Sequence, residues 1–255
     1  MVPASPPPAS PADLLPRLLA SDPARPRLTC YDDESGERIE LSAKVLANWV
    51  AKAANLLQDE LDAAPGVAVR LDLPAHWRTA YWALATWAVG ATVVIDTTGQ
   101  DDDGSEVVVT TDPALAERVV ADGRYAVLVT LAALARGHAA TPAGVVDEAK
   151  ELTSHPDGYA AAVPPSPADV ALLVADPQGV GTSSYADLVR GVLPWTEGWP
   201  ARPRVNAVAD DVESFLTQCL AAWALDGSIV LSRNASRTRL AERLASERVT
   251  VDLAG

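Results

Sequence analysis

The sequence predicts an α/β fold in which layered, mostly parallel sheets are flanked by helices. Two observations support this prediction. From Val67 onward, short apolar runs typical of buried strands alternate with helical segments, and glycine, proline or hydroxyl residues mark most of the boundaries. The pattern of residues 67–95 also recurs in reduced form at 205–231, which favours two related α/β lobes at about 13–165 and 166–255.

The N-terminal part of the chain is predicted to contain two helices and a hairpin. Residues 1–12 are rich in Pro, Ala and Ser, and we expect a disordered leader there because they have neither a basic nor an apolar targeting segment. A short helix is predicted at 13–20, and two short strands flank the acidic turn at 32–36. Ser42 then caps a long amphipathic helix that ends near Asp62.

The alternation itself predicts the remaining elements. Residues 131–167 show little periodicity and are expected to be an irregular excursion between the two halves. The helix at 74–89 is rich in Trp and Tyr, which favours buried packing over a ligand platform. Strands are predicted at 67–71, 91–95, 107–110, 126–130, 171–175, 204–208, 228–231 and 249–253, and helices at 74–89, from Pro113, at 185–193, 212–225 and from Ser236 to about Glu247.

Composition excludes several classes of partner. The 255 residues have a net charge of −14, so no basic surface is available to neutralise nucleic acid or an anionic membrane. No apolar run reaches membrane-spanning length, and we expect a cytoplasmic protein. Cys30 and Cys219 lie far apart in apolar surroundings, which indicates reduced core thiols.

The usual catalytic and metal-binding patterns are missing from the sequence. His138 and His155 match no nucleophilic triad, and His76 is interpreted as a helix cap or surface residue. The scattered histidines and cysteines give no metal-ligand spacing, and the acidic run at 101–103 is interpreted as a solvated loop. We therefore predict no catalytic residue and no metal site.

One stretch, Leu172 to Val189, keeps the features of a phosphate site. A short apolar strand is followed by a turn with two glycines, and a helix is predicted to begin at Ser183 or Ser184. The turn contains no lysine, so the positive charge that usually binds a phosphate is missing. The candidate ligand-binding residues of this degenerate phosphate loop are Gly179, Gly181, Thr182, Ser183 and Ser184.

The order of these segments resembles the large N-terminal domain of the adenylate-forming superfamily, which includes acyl-CoA synthetases, peptide-synthetase adenylation domains and luciferases. The resembling segments are residues 40–57, VAVRLDLPAHWRTAYWALATWAVGATVVIDT at 67–97, DVALLVADPQGVGTSSYADLV at 169–189, and 224–255. In that family the third segment contains a longer Ser/Thr/Gly-rich phosphate loop ending in Pro-Lys-Gly. Here the loop is shorter and lacks that ending, and the sequence to Gly255 contains none of the family's later motifs, its hinge or its mobile C-terminal domain.

The resemblance implies a truncated, degenerate relative, and non-enzymatic function is favoured because the motifs for ATP-dependent adenylation are largely missing. Four functions stay open: a non-catalytic homologue with a structural or regulatory role, a nucleotide- or acyl-ligand-binding module, a partner-dependent acyl-adenylating enzyme, and an enzyme of another kind. No cofactor is predicted, although ATP or AMP would be the family's ligand. A homodimer or a protein partner is expected to cover apolar surface, with Trp195 and Trp199 as the exposed aromatics.

Overall fold

The computed structural model describes residues 8–99, 104–132, 137–208 and 211–253. Its helices and strands follow the predicted alternation and form two sheets with helices around them. The α-helices are α1 Leu14–Ser21, α2 Ala43–Asp59, α3 Trp77–Ala88, α4 Pro113–Ala121, α5 Glu148–Glu151, α6 Leu188–Val192, α7 Val212–Ala224 and α8 Arg237–Ser246. The strands are β1 Pro26–Asp32, β2 Glu37–Ser42, β3 Ala68–Asp72, β4 Thr92–Asp96, β5 Val107–Thr110, β6 Tyr125–Leu128, β7 Val146–Asp147, β8 Val170–Asp176, β9 Gly179–Ser184, β10 Arg204–Ala207, β11 Ser228–Arg233 and β12 Val251–Asp252.

The two sheets are mostly parallel, as predicted. One has five strands in the order β12-β10-β11-β1-β2, and the other has seven in the order β7-β6-β5-β3-β4-β8-β9. The antiparallel pairs are the two hairpins, β1–β2 and β8–β9. Each hairpin therefore places an antiparallel strand on the edge of its sheet.

The sheets do not follow the predicted division near residue 165. Strands β1 and β2 join the five-stranded sheet with β10–β12, whereas β8 and β9 join the seven-stranded sheet with β3–β7. The chain thus crosses between sheets twice. The lobes overlap in sequence because strand pairing is a long-range contact that local periodicity does not report.

The recurring pattern at 67–95 and 205–231 corresponds to two equivalent β-α-β units. In the first, β3 and β4 are parallel neighbours joined by α3, and in the second, β10 and β11 are parallel neighbours joined by α7. Each helix buries a tryptophan whose indole N–H donates to a backbone carbonyl, from Trp87 to Ala171 at 2.8 Å and from Trp223 to Arg27 at 3.0 Å. These helices contact each other, and one continuous core connects the two sheets.

Several helix boundaries have the predicted chemistry. The hydroxyl of Ser42 accepts from the Val45 N–H at the start of α2, and Ser236 does the same for Arg239 at α8. The buried face of α2 includes Leu46, Val50, Ala53, Leu56 and Leu57, whereas Val45 is exposed.

The ordered domain begins earlier than the predicted limit at residue 13. Pro11–Asp13 form a short 3₁₀ turn with Pro11 buried, and the Ser10 N–H donates to the Asp13 carboxylate at 3.0 Å. Residues 1–7 of the expected leader and the acidic run at 101–103 lie outside the described residues. No helix in the described part of the chain is long and apolar enough to cross a membrane.

Candidate functional site

A groove of about 1060 Å³ lies where the carboxyl ends of parallel strands from both sheets meet. Strands β3, β4 and β8 of the seven-stranded sheet end there, opposite β10 and β11 of the five-stranded sheet. Ligands of open α/β proteins bind at this edge of the sheet, because loops there diverge and leave a crevice. The groove is therefore the candidate functional site.

Aspartates dominate the strand ends at the groove. Strands β3, β4 and β8 end in Asp72, Asp96 and Asp176, and all three line the groove. Arg70 on β3 pairs with two of these carboxylates, at 3.5 Å from Asp96 and 3.9 Å from Asp72. On the opposite sheet Arg233 lines the groove and pairs with Asp32 at 3.3 Å. Both guanidinium groups are thus already matched by carboxylates.

The third aspartate closes the tight turn between β8 and β9. Asp176 Oδ1 accepts from the backbone N–H groups of Gln178, at 2.7 Å, and Gly179, at 2.9 Å. Only Pro177 and Gln178 separate the paired residues Asp176 and Gly179, so the strands are joined by a two-residue turn. The N–H groups that could face a phosphate are occupied by a carboxylate of the chain itself.

The predicted helix N-terminus at Ser183 or Ser184 is wrong. Residues Gly179–Ser184 form strand β9, paired antiparallel with β8, and the next helix, α6, begins only at Leu188 and is five residues long. The physical reason is that the Asp176-Pro177 turn already reverses the chain, so the following residues pair with β8 rather than start a helix.

The five candidate ligand-binding residues consequently lie along the edge strand and not around the groove. Gly179, Gly181 and Thr182 are exposed, and Ser183 is half-buried opposite Leu172. The Ser184 hydroxyl donates to the Asp187 carboxylate at 2.7 Å. None of the five lines the groove, whereas their neighbours Pro177 and Gln178 do. A ligand-binding role for them stays a prediction.

Two further carboxylates face Asp176 across the groove. Asp211 caps α7 by accepting from the Ser214 N–H at 2.7 Å, and Glu213 lies in the first turn of that helix. Partial burial, with the nearby charges of Asp211 and Asp176, raises the pKa of Glu213. Among the described residues no lysine or arginine pairs with these three carboxylates, so this end of the groove is strongly electronegative.

Histidine gives the groove no general base. His76 caps α3, with its Nδ1 accepting from the Arg78 N–H at 3.3 Å, which confirms the predicted cap. It is buried, and burial together with Arg233 and Arg78 lowers its pKa to about 3. No group of His, Cys, Asp or Glu residues in the described ranges is arranged to hold a metal ion.

The two thiols lie in the core, as the sequence predicts, whereas the prediction for the loop tryptophans is only half right. Cys30 and Cys219 are buried free thiols, and burial raises the pKa of Cys30 to about 11. Trp195 is exposed over 64 % of its surface, whereas Trp199 packs against the core. The prediction of exposed aromatics is therefore right for the first and wrong for the second.

Sequence reasoning missed a buried polar cluster between α3 and α5. Glu148 at the start of α5 is fully buried and accepts from Arg78 at 2.7 Å, from the Trp82 indole at 2.9 Å and from the Tyr81 hydroxyl. Arg78 also donates to the Ala132 carbonyl at 3.0 Å. These contacts hold the irregular segment at 131–167 against α3. An arginine inside an apolar helix was the signal that could have predicted an acidic partner.

Comparison with solved structures shows which fold this is. The N-terminal domain of FACL13 from Mycobacterium tuberculosis superposes with a TM-score of 0.70 at 16 % identity, over 96 % of this chain and 62 % of that one. An acyl-CoA synthetase from Brucella canis gives 0.76 at 16 % identity over 95 % and 46 %, and the anthranilate CoA ligase AuaEII gives 0.73 at 16 % over 95 % and 48 %. The chain has the fold of the N-terminal part of acyl-CoA synthetases and spans less than two thirds of each of these chains.

A relative at higher identity is a curated protein of matching length. No family model matches the chain. A TIGR03089 family protein from Mycobacterium tuberculosis strain H37Rv is 35 % identical over 249 residues, which cover 93 % of this chain and 95 % of the relative. At this identity and coverage, the chain belongs to the TIGR03089 family.

Proposed function

We propose that this protein is a non-catalytic relative of AMP-binding acyl-CoA synthetases with a structural or regulatory role. It acts in the cytoplasm by binding other protein molecules. The single observation that supports this most is the turn at Asp176. At the position where the resembling family has its phosphate loop, this chain has a two-residue turn whose N–H groups already bond to a carboxylate.

Electrostatics argues against a triphosphate in the groove. Asp176, Asp211 and Glu213 would repel the phosphate oxygens, and the nearby Arg70 and Arg233 are already paired with carboxylates. Adenylation requires positive charge or aligned hydrogen-bond donors around the phosphates of ATP, because negative charge moves from one phosphate to the next during the reaction. The carboxylates that line the groove are negatively charged instead.

A second candidate is a ligand-binding module that takes an adenine nucleotide or an acyl group. The observation that favours it is the size and place of the groove, about 1060 Å³ at the carboxyl ends of parallel strands. A third candidate is an acyl-adenylating enzyme that depends on a partner for the missing cations.

The test is ATP–pyrophosphate exchange on the purified protein with a panel of fatty, aryl and amino acids. We expect no exchange above background. Exchange that disappears when Thr182, Ser183 and Ser184 are changed together to alanine would refute the proposal. A parallel thermal-shift panel of ATP, AMP and acyl-CoA separates the second candidate, since a ligand that binds only the folded state must raise the melting temperature.

A further inference from the structure

Strand β9 is an open edge of the seven-stranded sheet. No other described strand pairs with it beyond β8, and its first four residues are exposed, with Val180 exposed over 68 % of its surface. In an antiparallel ladder alternate residues direct their N–H and C=O groups away from the neighbouring strand. The outward groups of β9 therefore offer hydrogen bonds to another extended segment.

The other described sheet edges are protected, and this one is not. Strands β7 and β12 are two residues long, and β2 presents Glu37, Arg38 and Glu40 along its length. Short edges and charged side chains are the usual devices that prevent unwanted strand pairing. By contrast β9 has six residues, Gly-Val-Gly-Thr-Ser-Ser, with no charge, no proline and small side chains.

The charges around β9 favour a basic partner segment over a second copy of the chain. Asp176 lies before the strand, with the groove carboxylates Asp211 and Glu213 nearby. Asp187 lies after the strand and is paired with Arg190 at 3.0 Å. Antiparallel pairing of two copies would bring the Asp176 end of one β9 to the Asp187 end of the other, and each copy has a net charge of −14. The like net charges of the two copies disfavour that pairing, whereas a basic segment would be attracted to the Asp176 end.

We infer that β9 binds an extended, lysine- or arginine-bearing segment of a protein partner as an additional strand of the sheet. The backbone of β9 supplies the hydrogen bonds. The side chain of Val180, opposite Ala175 on β8, offers an apolar contact to alternate side chains of the segment. The carboxylates at the Asp176 end of the strand attract its basic side chains. This inference rests on the proposed function, because it specifies the class of protein partner.

The test uses a labelled, end-capped decapeptide in which lysine alternates with valine or threonine, titrated with the full chain and followed by fluorescence anisotropy. We expect saturable binding below about 1 mM that weakens as salt is raised. The same peptide with glutamate in place of lysine, or with alternate backbone nitrogens methylated, is expected to lose binding at least about tenfold.

A matched pair of protein variants locates the site. Val180→Lys places a charge on the edge, as on β2, and should weaken peptide binding at least about tenfold. Val163→Lys is the control, since Val163 is also exposed but lies outside β9, and it should change binding less than about twofold. Circular dichroism confirms that both variants are folded.

Three results would overturn the inference. They are no saturable binding of the lysine peptide, equal binding of the glutamate or methylated peptide, and unchanged binding by a folded Val180→Lys protein. Self-association that is lost in Val180→Lys would make a second copy the occupant instead. The exchange assay is a separate measurement, so failure of the edge site and failure of the proposed non-catalytic role give different results.

Discussion

Acid should unfold this protein in part through His76, and the effect can be calculated from the structure. The ring is buried at the N-terminus of α3, where Nδ1 accepts the Arg78 N–H, and Arg233 and Arg78 oppose a further positive charge more than Asp32 favours it. Protonation removes the acceptor and places a charge in the core. Since the folded state lowers the pKa of this base, its contribution is complete above pH 6.5 and is lost as pH falls toward 3.

The magnitude follows from the two pKa values. With a pKa of 6.5 in the unfolded chain and about 3 in the folded protein, His76 lowers the free energy of unfolding by about 2 kcal/mol between pH 7.5 and pH 5. The full loss, reached only below pH 3, would be about 5 kcal/mol. The carboxylates titrate as well, so the comparison must be made against a variant.

Urea unfolding of the wild type and of His76→Asn at pH 7.5 and pH 5 measures the contribution of His76 to the free energy of unfolding. Asparagine retains an N-cap acceptor but does not titrate, so the variant should lose about 2 kcal/mol less between the two pH values than the wild type. Ser236→Asn, at the cap of α8, is the matched control and should show the wild-type pH dependence. Equal pH dependence of wild type and His76→Asn would refute the reasoning.

Three other changes test the packing. Gly227→Ala would bring a Cβ within 2.5 Å of a backbone carbonyl oxygen and should lower the free energy of unfolding by about 1–3 kcal/mol in denaturant. Gly181→Ala is the control, because Gly181 has open space around it and no positive φ, and it should cost less than about 1 kcal/mol. A small loss at Gly227 would contradict the close approach. Glu148→Gln leaves the buried guanidinium of Arg78 without its counter-charge and should cost about 3–5 kcal/mol by the same measurement; an unchanged midpoint would disprove the ion pair. Trp195→Ser should leave the unfolding midpoint nearly unchanged, and light scattering of both proteins then tests whether this exposed ring contributes to self-association.

The outcome at the candidate phosphate loop shows how a local pattern can mislead. Glycines followed by hydroxyl residues are typical of a phosphate turn and a helix cap, and Gly179 does have a positive φ of 156°, whereas Gly181 does not. The sequence Asp176-Pro177-Gln178-Gly179 is a complete turn by itself, however. Once it reverses the chain, residues 179–184 lie beside β8 and gain its hydrogen bonds.

The amino-acid sequence by itself determined the α/β class, most elements and their caps, the buried thiols and the two β-α-β units, because these depend on periodicity and on chemistry within a few residues. Tertiary structure alone decided which strands share a sheet and that Glu148 meets Arg78 across 70 positions. It further decided that carboxylates at the ends of the seven-stranded sheet and at the start of α7 converge on the groove. It also decided that β9 is an edge. These features arise from contacts between distant segments, and the free energy of such contacts depends on the whole fold and has no signature in local spacing.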